Sequence, residues 1–341
     1  QIAIYCSMSP SFEAGLLERA ISVAMAAGDS VAIIWAMEAA ARQDSSPNEL
    51  VERVFLPSLR YLASKGDTRW VGAIWPFARK SAVFSSLSGA GVEEVLTSLV
   101  PELKLAHEAE WVLAVIAGEW PVRVIDYFID RLRLANSNDA PKEYDPVPFS
   151  LSELKDPLAN FAADMVQKLR DWYDEDARLF QYRGAQLLKA VFPSFSPLEA
   201  SLLSIVAEGE RKSLEFVLDV LRVFDGQKVL QPICREIVAA LQPDDELLKE
   251  VEIVLDSTGI VHGQFGFVEA YLSKKAEIEE WLSDPREPVR VFAERHMRNL
   301  DRQIAADQRR SMEEHELRKR EYEDLAETRD ATAPAEDADG H

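Results

Sequence analysis

The stretch SLEFVLDVLRVFDGQKVLQPICREIVAALQPDDELLKEVEIVLDSTG, residues 213–259, states the fold class most clearly. Leu214, Val217, Leu218 and Leu221 make one apolar stripe; Leu230, Ile233, Cys234, Ile237, Val238 and Leu241 make the next. Leu247, Leu248, Val251, Val254 and Leu255 make a third. Steps of three and four place each set on one face, because an α-helix completes a turn in 3.6 residues. The punctuation agrees. Asp225-Gly226 closes one helix, Pro243-Asp244-Asp245 opens another with Asp at the cap, and Ser257-Thr258-Gly259 ends it with a glycine suited to the left-handed position.

The same period continues in both directions. It predicts helices near residues 12–27, 30–43, 47–64, 67–86, 92–104, 107–118 and 121–135, with kinks or breaks at Pro57 and Pro76. Strand alternation is nearly missing. The one irregular stretch, 136–156, is rich in Asn, Asp and Pro and holds Pro146-Val147-Pro148-Phe149-Ser150; it reads as an insertion between two helical halves, with a short ribbon as its maximum strand content. The organisation predicted is an N-terminal helical-repeat half at 1–135, the insertion at 136–156 and a C-terminal HEAT-like half at 157–300. A charged helix at 301–325 and a disordered tail at 326–341 follow.

Composition narrows the function. Lys and Arg number 38 against 59 Asp and Glu, a net charge of −21, which disfavours a nucleic-acid partner held by a continuous basic stripe. The most apolar stretch, Ile21 to Ala41, is broken by Gly28-Asp29-Ser30, a helix stop followed by a cap rather than a membrane span. Cys6 and Cys234 form neither a disulfide framework nor a zinc site, which suits a reducing, cytoplasmic setting. The chain begins with Gln1, which suggests a fragment of a longer protein.

Helix pairs recurring with short connections are what a stacked repeat array requires, since each pair exposes an apolar face that only a neighbour covers. Asp284-Pro285-Arg286-Glu287-Pro288-Val289-Arg290-Val291-Phe292-Ala293 carries a cap, a first-turn proline and inward Val289, Phe292, Ala293 and Met297. Arg290 is placed to reach carboxylates of a neighbouring repeat. This stretch resembles the helical signature of HEAT repeats. More widely, YRGAQLLKAVFP at 182–193, SLEFVLDVLRVFDGQ at 213–227, STGIVHGQFGFVEAYLSKKAEIEEWLSDP at 257–285 and RKREYED at 318–324 resemble the C-terminal helical-repeat region of large bacterial STAND NTPases and related defence proteins. That resemblance implies a sensing or scaffolding role, with nucleotide hydrolysis or attack on a target housed elsewhere; no GxxxxGK[ST] loop occurs in this chain.

No residue set carries chemistry. His107, His262, His296, His315 and His341 lie far apart, and His296, on the apolar stripe of the last repeat helix, reads as a helix histidine rather than a ligand. Asp244-Asp245-Glu246 lacks a second acidic motif and reads as a cap. Gly259, Gly263 and Gly266, with His262 and Gln264, read as a tight loop before a stripe of Phe265, Phe267, Val268, Tyr271 and Leu272. The seven tryptophans read as core fillers, Trp172 excepted because it ends a helix beside the insertion. Glu314 with Arg318, Glu316 with Arg320 and Lys319 with Glu323 support an exposed helix.

The expectation is therefore an all-α fold, an α-solenoid of HEAT-like helix pairs with a long polar C-terminal helix. Its function would be non-catalytic recognition or scaffolding of a protein partner, with no cofactor and no metal. The partner surface is expected around Tyr144, Phe149, Trp172 and Tyr173, with Asp139, Glu143, Asp145 and Asp156 favouring a basic rim. On this view a Gly/Ser linker in place of 139–148 leaves the melting temperature nearly unchanged. Phe149 has a second reading, as a plug between the two helical halves. The competing function is an all-helical enzyme, such as an α/α toroid using acidic residues.

Overall fold

The structure, a computed structural model, describes residues 13–224, 228–257 and 266–331, with side chains described as far as Tyr322. The chain is all-α: every regular element among the described residues is helical, and the only strand-like pairing is one isolated parallel bridge between Lys104 and Asp145. Cys6, His262, His341, the turn at Asp225-Gly226 and the residues Thr258 to Phe265 lie outside the described set, as do 332–341 of the expected tail.

Two compact units divide at Ile205/Val206. The first begins with α1 (Ala14–Ala27), α2 (Ser30–Ala41), α3 (Pro47–Leu50) and α4 (Leu56–Ser64), followed by α5 (Trp70–Ala78), α6 (Ala82–Ser85), α7 (Gly89–Leu99), α8 (His107–Glu119) and α9 (Pro121–Asn136). Beyond the irregular segment come α10 (Lys155–Leu158), α11 (Ala162–Glu175), α12 (Ala177–Leu179), α13 (Ala185–Val191) and α14 (Glu199–Val206). Segment 136–156, expected to divide two halves, lies inside this unit.

Six helices of the first unit contact one another in two series. In one α2 contacts α5 and α5 contacts α8; in the other, α4 contacts α7 and α7 contacts α9. Gly28, with φ of 70°, closes α1 in the left-handed conformation, and the Asp29 carboxylate accepts a bond from the Ala32 N–H at 3.0 Å to open α2. A break at Gly28 thus turns an apolar stretch into a helical hairpin.

Pro57 does not end the helical run that contains it. A π turn at Val51–Phe55 precedes it, with the Leu56 N–H bonded to the Val51 carbonyl, and that wider turn relieves the clash between a proline ring and the carbonyl four residues back. A second π turn, Phe180–Gly184, joins α12 to α13. Gly184 is required there: a Cβ would stand 2.4 Å from the Phe180 ring and 2.8 Å from Trp172. The expected helix at 67–86 is two helices, α5 and α6, the first carrying Pro76 inside it.

The second unit holds α15 (Arg211–Arg222), α16 (Gln231–Ala240), α17 (Leu247–Asp256), α18 (Gly266–Glu279) and α19 (Glu287–Ala331). The three stripes of residues 214–255 are buried, from Leu214 through Ile233 and Cys234 to Val251 and Leu255. Asp284 is 2% exposed, accepts the Arg286 N–H at 2.8 Å, and pairs with the side chains of Arg286 and Arg235. The Arg286 guanidinium foremost, with Arg235, holds the Asp284 carboxyl well below the usual carboxylate range.

Two expectations in this unit are corrected. Arg290 pairs with no carboxylate among the described residues; it bonds the carbonyls of Asp284 and Pro285 at 2.7 and 2.9 Å, and Arg286 makes the cross-helix pair, to Glu236 at 2.7 Å. On α18 the inward side chains are Val268 and Ile278, while Phe267 and Leu272 are about half exposed. Val289, Phe292 and Ala293 do face the core, with Phe292 at 6.1 Å from Trp281, whereas Met297 is half-buried.

Candidate partner-binding surface

The irregular segment is organised by a residue that the sequence reading passed over. Arg131 sits on the inner face of α9 among Val124, Tyr127, Phe128 and Leu132, and is 0% exposed. Its guanidinium donates to five main-chain carbonyls: Leu99, Val100 and Glu102 at 3.2, 3.1 and 2.9 Å, Asp145 at 2.7 Å and Pro146 at 3.0 Å. The first two belong to the C-terminal end of α7, whose orphan carbonyls and negative dipole end favour a cation. Arg131 therefore caps α7 and clasps the irregular segment with one planar group. This accounts for α7 stopping at Leu99, short of the expected 104; Pro101 reinforces the stop.

The segment approaches through a turn at Pro141–Tyr144, in which Glu143 takes a φ of 69°, a conformation uncommon for a residue with a Cβ. The Tyr144 ring then lies 4.8 Å from the Arg131 guanidinium, and its hydroxyl donates to the Val100 carbonyl at 2.5 Å. Desolvation raises the Tyr144 phenol to about 12. The Asp145 N–H bonds the Leu103 carbonyl at 2.8 Å, forming the isolated bridge. Val147 and Leu151 enter the core at 4% and 0% exposure, and the Leu151 N–H meets the Ala190 carbonyl at 3.0 Å. Between them Phe149 is 100% exposed.

The four residues expected to form one surface thus separate. Phe149 is free and plugs nothing; Tyr144 is a partly buried strut. Trp172 and Tyr173 are 2% and 4% exposed and belong to the core, where Tyr173 packs edge-on to Phe180 with ring centroids 5.2 Å apart. Neither offers a partner its ring. Met165, Val166, Leu169, Trp172 and Tyr173 form one inward stripe on α11, and the end of a helix is no less buried than its middle when the stripe runs through it.

Other exposed aromatic groups lie in the same unit. Tyr182 is 65% exposed in the π turn whose Arg183 pairs with Asp145 at 3.4 Å. Trp75 and Trp111 are half-buried with centroids 5.9 Å apart, and the Arg79 guanidinium lies 3.6 Å over the Trp111 ring while pairing with Glu153 at 2.8 Å. The Trp111 indole N–H donates to His107 Nε2 at 2.8 Å. Of the seven tryptophans, Trp70, Trp172 and Trp281 are fully buried, and Trp35 is 42% exposed.

Groups suggestive of chemistry occupy structural positions. Asp245 accepts the Leu247 N–H at 2.9 Å and pairs with Arg211 at 3.0 Å, so the acidic triplet precedes α17; the N-cap position itself is Glu246, whose side chain makes no cap bond, not the Asp expected there. Cys234 is free and buried, and desolvation pushes its thiol up to about 12, away from nucleophilic reactivity. His296 is 0% exposed, stacked on Phe292, with Nε2 3.5 Å from Asp256 Oδ1; burial lowers its pKa to about 4 and raises that of Asp256. Among the described residues no group of three or more His, Cys, Asp or Glu side chains is placed to hold a metal ion, and no helix is long and apolar enough to cross a membrane. No protein-family model, curated protein or solved structure matches the chain.

Proposed function

We propose that this chain is a recognition and scaffold segment, without catalysis of its own, of a larger cytoplasmic protein of the defence-associated STAND type. In this reading it is a solenoid of HEAT-like helix pairs that binds a protein partner and passes the bound state to an effector or NTPase domain elsewhere in the protein. The two contact series, α2, α5 and α8 in one and α4, α7 and α9 in the other, support a repeated pair as the building unit.

One observation carries the binding role. Phe149 is wholly exposed on a segment whose backbone is clamped on either side, by Arg131 at Asp145 and Pro146 and by Ala190 at Leu151. A large aromatic ring held out on a pre-ordered loop has the properties of an interface anchor, because little ordering entropy is lost when it docks. The loop's anchors also revise the choice of variant. A linker in place of 139–148 would remove Tyr144, Asp145 and Pro146 from Arg131 and destabilise the unit, so the test is Phe149→Asp. Affinity capture from the source organism should yield a protein that wild type retains and Phe149→Asp loses, at an unchanged melting temperature. Identical capture by both chains refutes the assignment.

A further inference from the structure

The second unit is joined along a polar seam. α18 and α19 pack on each other as a hairpin, tied by Lys275 to Asp301, and this hairpin lies against α16 and α17. α15, α16 and α17 pack among themselves. Across the seam run the pairs Arg295–Glu252 at 3.1 Å, Arg286–Glu236 at 2.7 Å and Arg235–Asp284, and Gln231 donates to Glu277 at 2.5 Å. Partly exposed ion pairs hold less firmly than continuous apolar packing, so a boundary rich in them is where a domain opens in parts.

His296 lies on this seam and is 0% exposed. Its Nε2 stands 3.5 Å from Asp256 Oδ1, and among the described residues neither ring nitrogen, nor that carboxylate oxygen, nor Gln303 Oε1 has a hydrogen-bond partner. Charged or titratable groups face the cluster from three helices: Glu252 and Asp256 from α17, Tyr271 and Lys274 from α18, and Arg295 from α19 itself. A neutral imidazole stacked on Phe292 tolerates this setting. An imidazolium carries two N–H donors, and neither has an acceptor here. Desolvation accordingly lowers the His296 pKa to about 4.

We infer that His296 is an acid-operated latch, whose protonation releases the α18–α19 hairpin from α16 and α17 while α15, α16 and α17 stay packed together. The open form gives the imidazolium water to donate to, which the closed form denies it. A group that takes its proton near 6.5 when open and near 4 when closed multiplies the open fraction about twentyfold from pH 7 to pH 5. Asp256, raised by burial, takes up a proton in the closed form and subtracts from this at the acid end. The latch goes beyond the recognition reading and shares no residue with the Phe149 segment, so each can fail alone.

Cys234 supplies the reporter. It is 0% exposed on α16, with the Lys274 ammonium of α18 in electrostatic reach of its thiol, so opening of the hairpin uncovers it. In a Cys6→Ser background, the rate of Cys234 labelling by 4,4′-dithiodipyridine, divided by the rate for the urea-unfolded chain at the same pH, gives the open fraction. That ratio should rise about tenfold or more from pH 7 to pH 5 with His296 present, and stay level in His296→Leu and in His296→Gln. Amide exchange, corrected for its intrinsic pH dependence, should lose protection over the same range in residues 289–300 and keep it in 214–221. A flat ratio with His296 present overturns the proposal. So does a rise that survives in either folded variant, which would put the proton on Asp256, Lys274 or Glu252. Equal loss of protection in 214–221 and 289–300 overturns it as well, since the unit would then be unfolding whole.

Discussion

Arg131→Met removes the guanidinium and keeps most of the apolar stem. Five hydrogen bonds disappear, from Leu99, Val100, Glu102, Asp145 and Pro146. A bond to a charged donor is worth about 1.5–3 kcal/mol, but five that share one planar group are not additive, and water reaches some of the freed carbonyls. Val100 keeps a partner in the Tyr144 hydroxyl. Against the loss stands a gain, since a buried cation no longer has to be desolvated, which costs several kcal/mol. The balance is a net loss of about 3–5 kcal/mol, the range for breaking a buried charged contact from one side. For a unit of this size that lowers the melting temperature by about 10 °C. Urea unfolding gives the free energy, and hydrogen exchange at Tyr144, Asp145 and Val147 gives the location. A loss below about 1 kcal/mol, with exchange at those amides unchanged, would falsify the view of Arg131 as the clasp of this segment.

Three further outcomes follow from the packing. Gly184→Ala places a methyl against Phe180 and Trp172 and should cost about 1–3 kcal/mol, read by urea unfolding; a neutral result means that the π turn yields easily. Phe292→Ala empties a site between Trp281 and His296 and should cost about 3–5 kcal/mol, and a change under about 1 kcal/mol would show that α19 is not packed there as described. His296 is neutral in the folded chain down to about pH 4, whereas in the unfolded chain it gains a proton near its ordinary value, so the unfolded state binds more protons between about pH 6.5 and 4. Stability from this residue is full above that window and falls with pH through it, by about 2 kcal/mol from pH 7 to 5. Asp256, raised by burial, opposes the trend at its acid end. His296→Leu should flatten the profile, and an unaltered slope in that variant would contradict the assignment.

The helices were legible because their apolar period is dictated by local geometry, as the buried stripes of Leu214 to Leu255 show. The acidic triplet at Asp244 to Glu246 was legible as the start of a helix for the same reason: its meaning depends on the next few residues, although Glu246 and not an Asp holds the cap position. The site was less so. Arg131 carried a signal, a charge on the stripe of Val124, Phe128 and Leu132, but its five acceptors lie 14 to 32 residues away and no local pattern names them. Trp172 and Tyr173 were misplaced by giving weight to proximity to the irregular segment over their own stripe with Met165 and Leu169. Phe149 and Val147 sit two residues apart in one Pro-rich stretch, and only the backbone path set by Arg131 and Ala190 turns one inward and the other out.

The closing stretch of α19 has a thermal consequence. Leu300 and Ile304 still contact the second unit, but every side chain from Met312 to Tyr322 is exposed, and there the helix is held by its own backbone and by pairs such as Glu314–Arg318 at 3.7 Å. Such a segment has no core to melt with. It should unwind by helix–coil fraying, turn by turn and with little heat-capacity change, rather than in the all-or-none transition of the packed helices. Ellipticity at 222 nm would then decline along a slope well before the fluorescence of Trp281, deep in the packed part, reports any change.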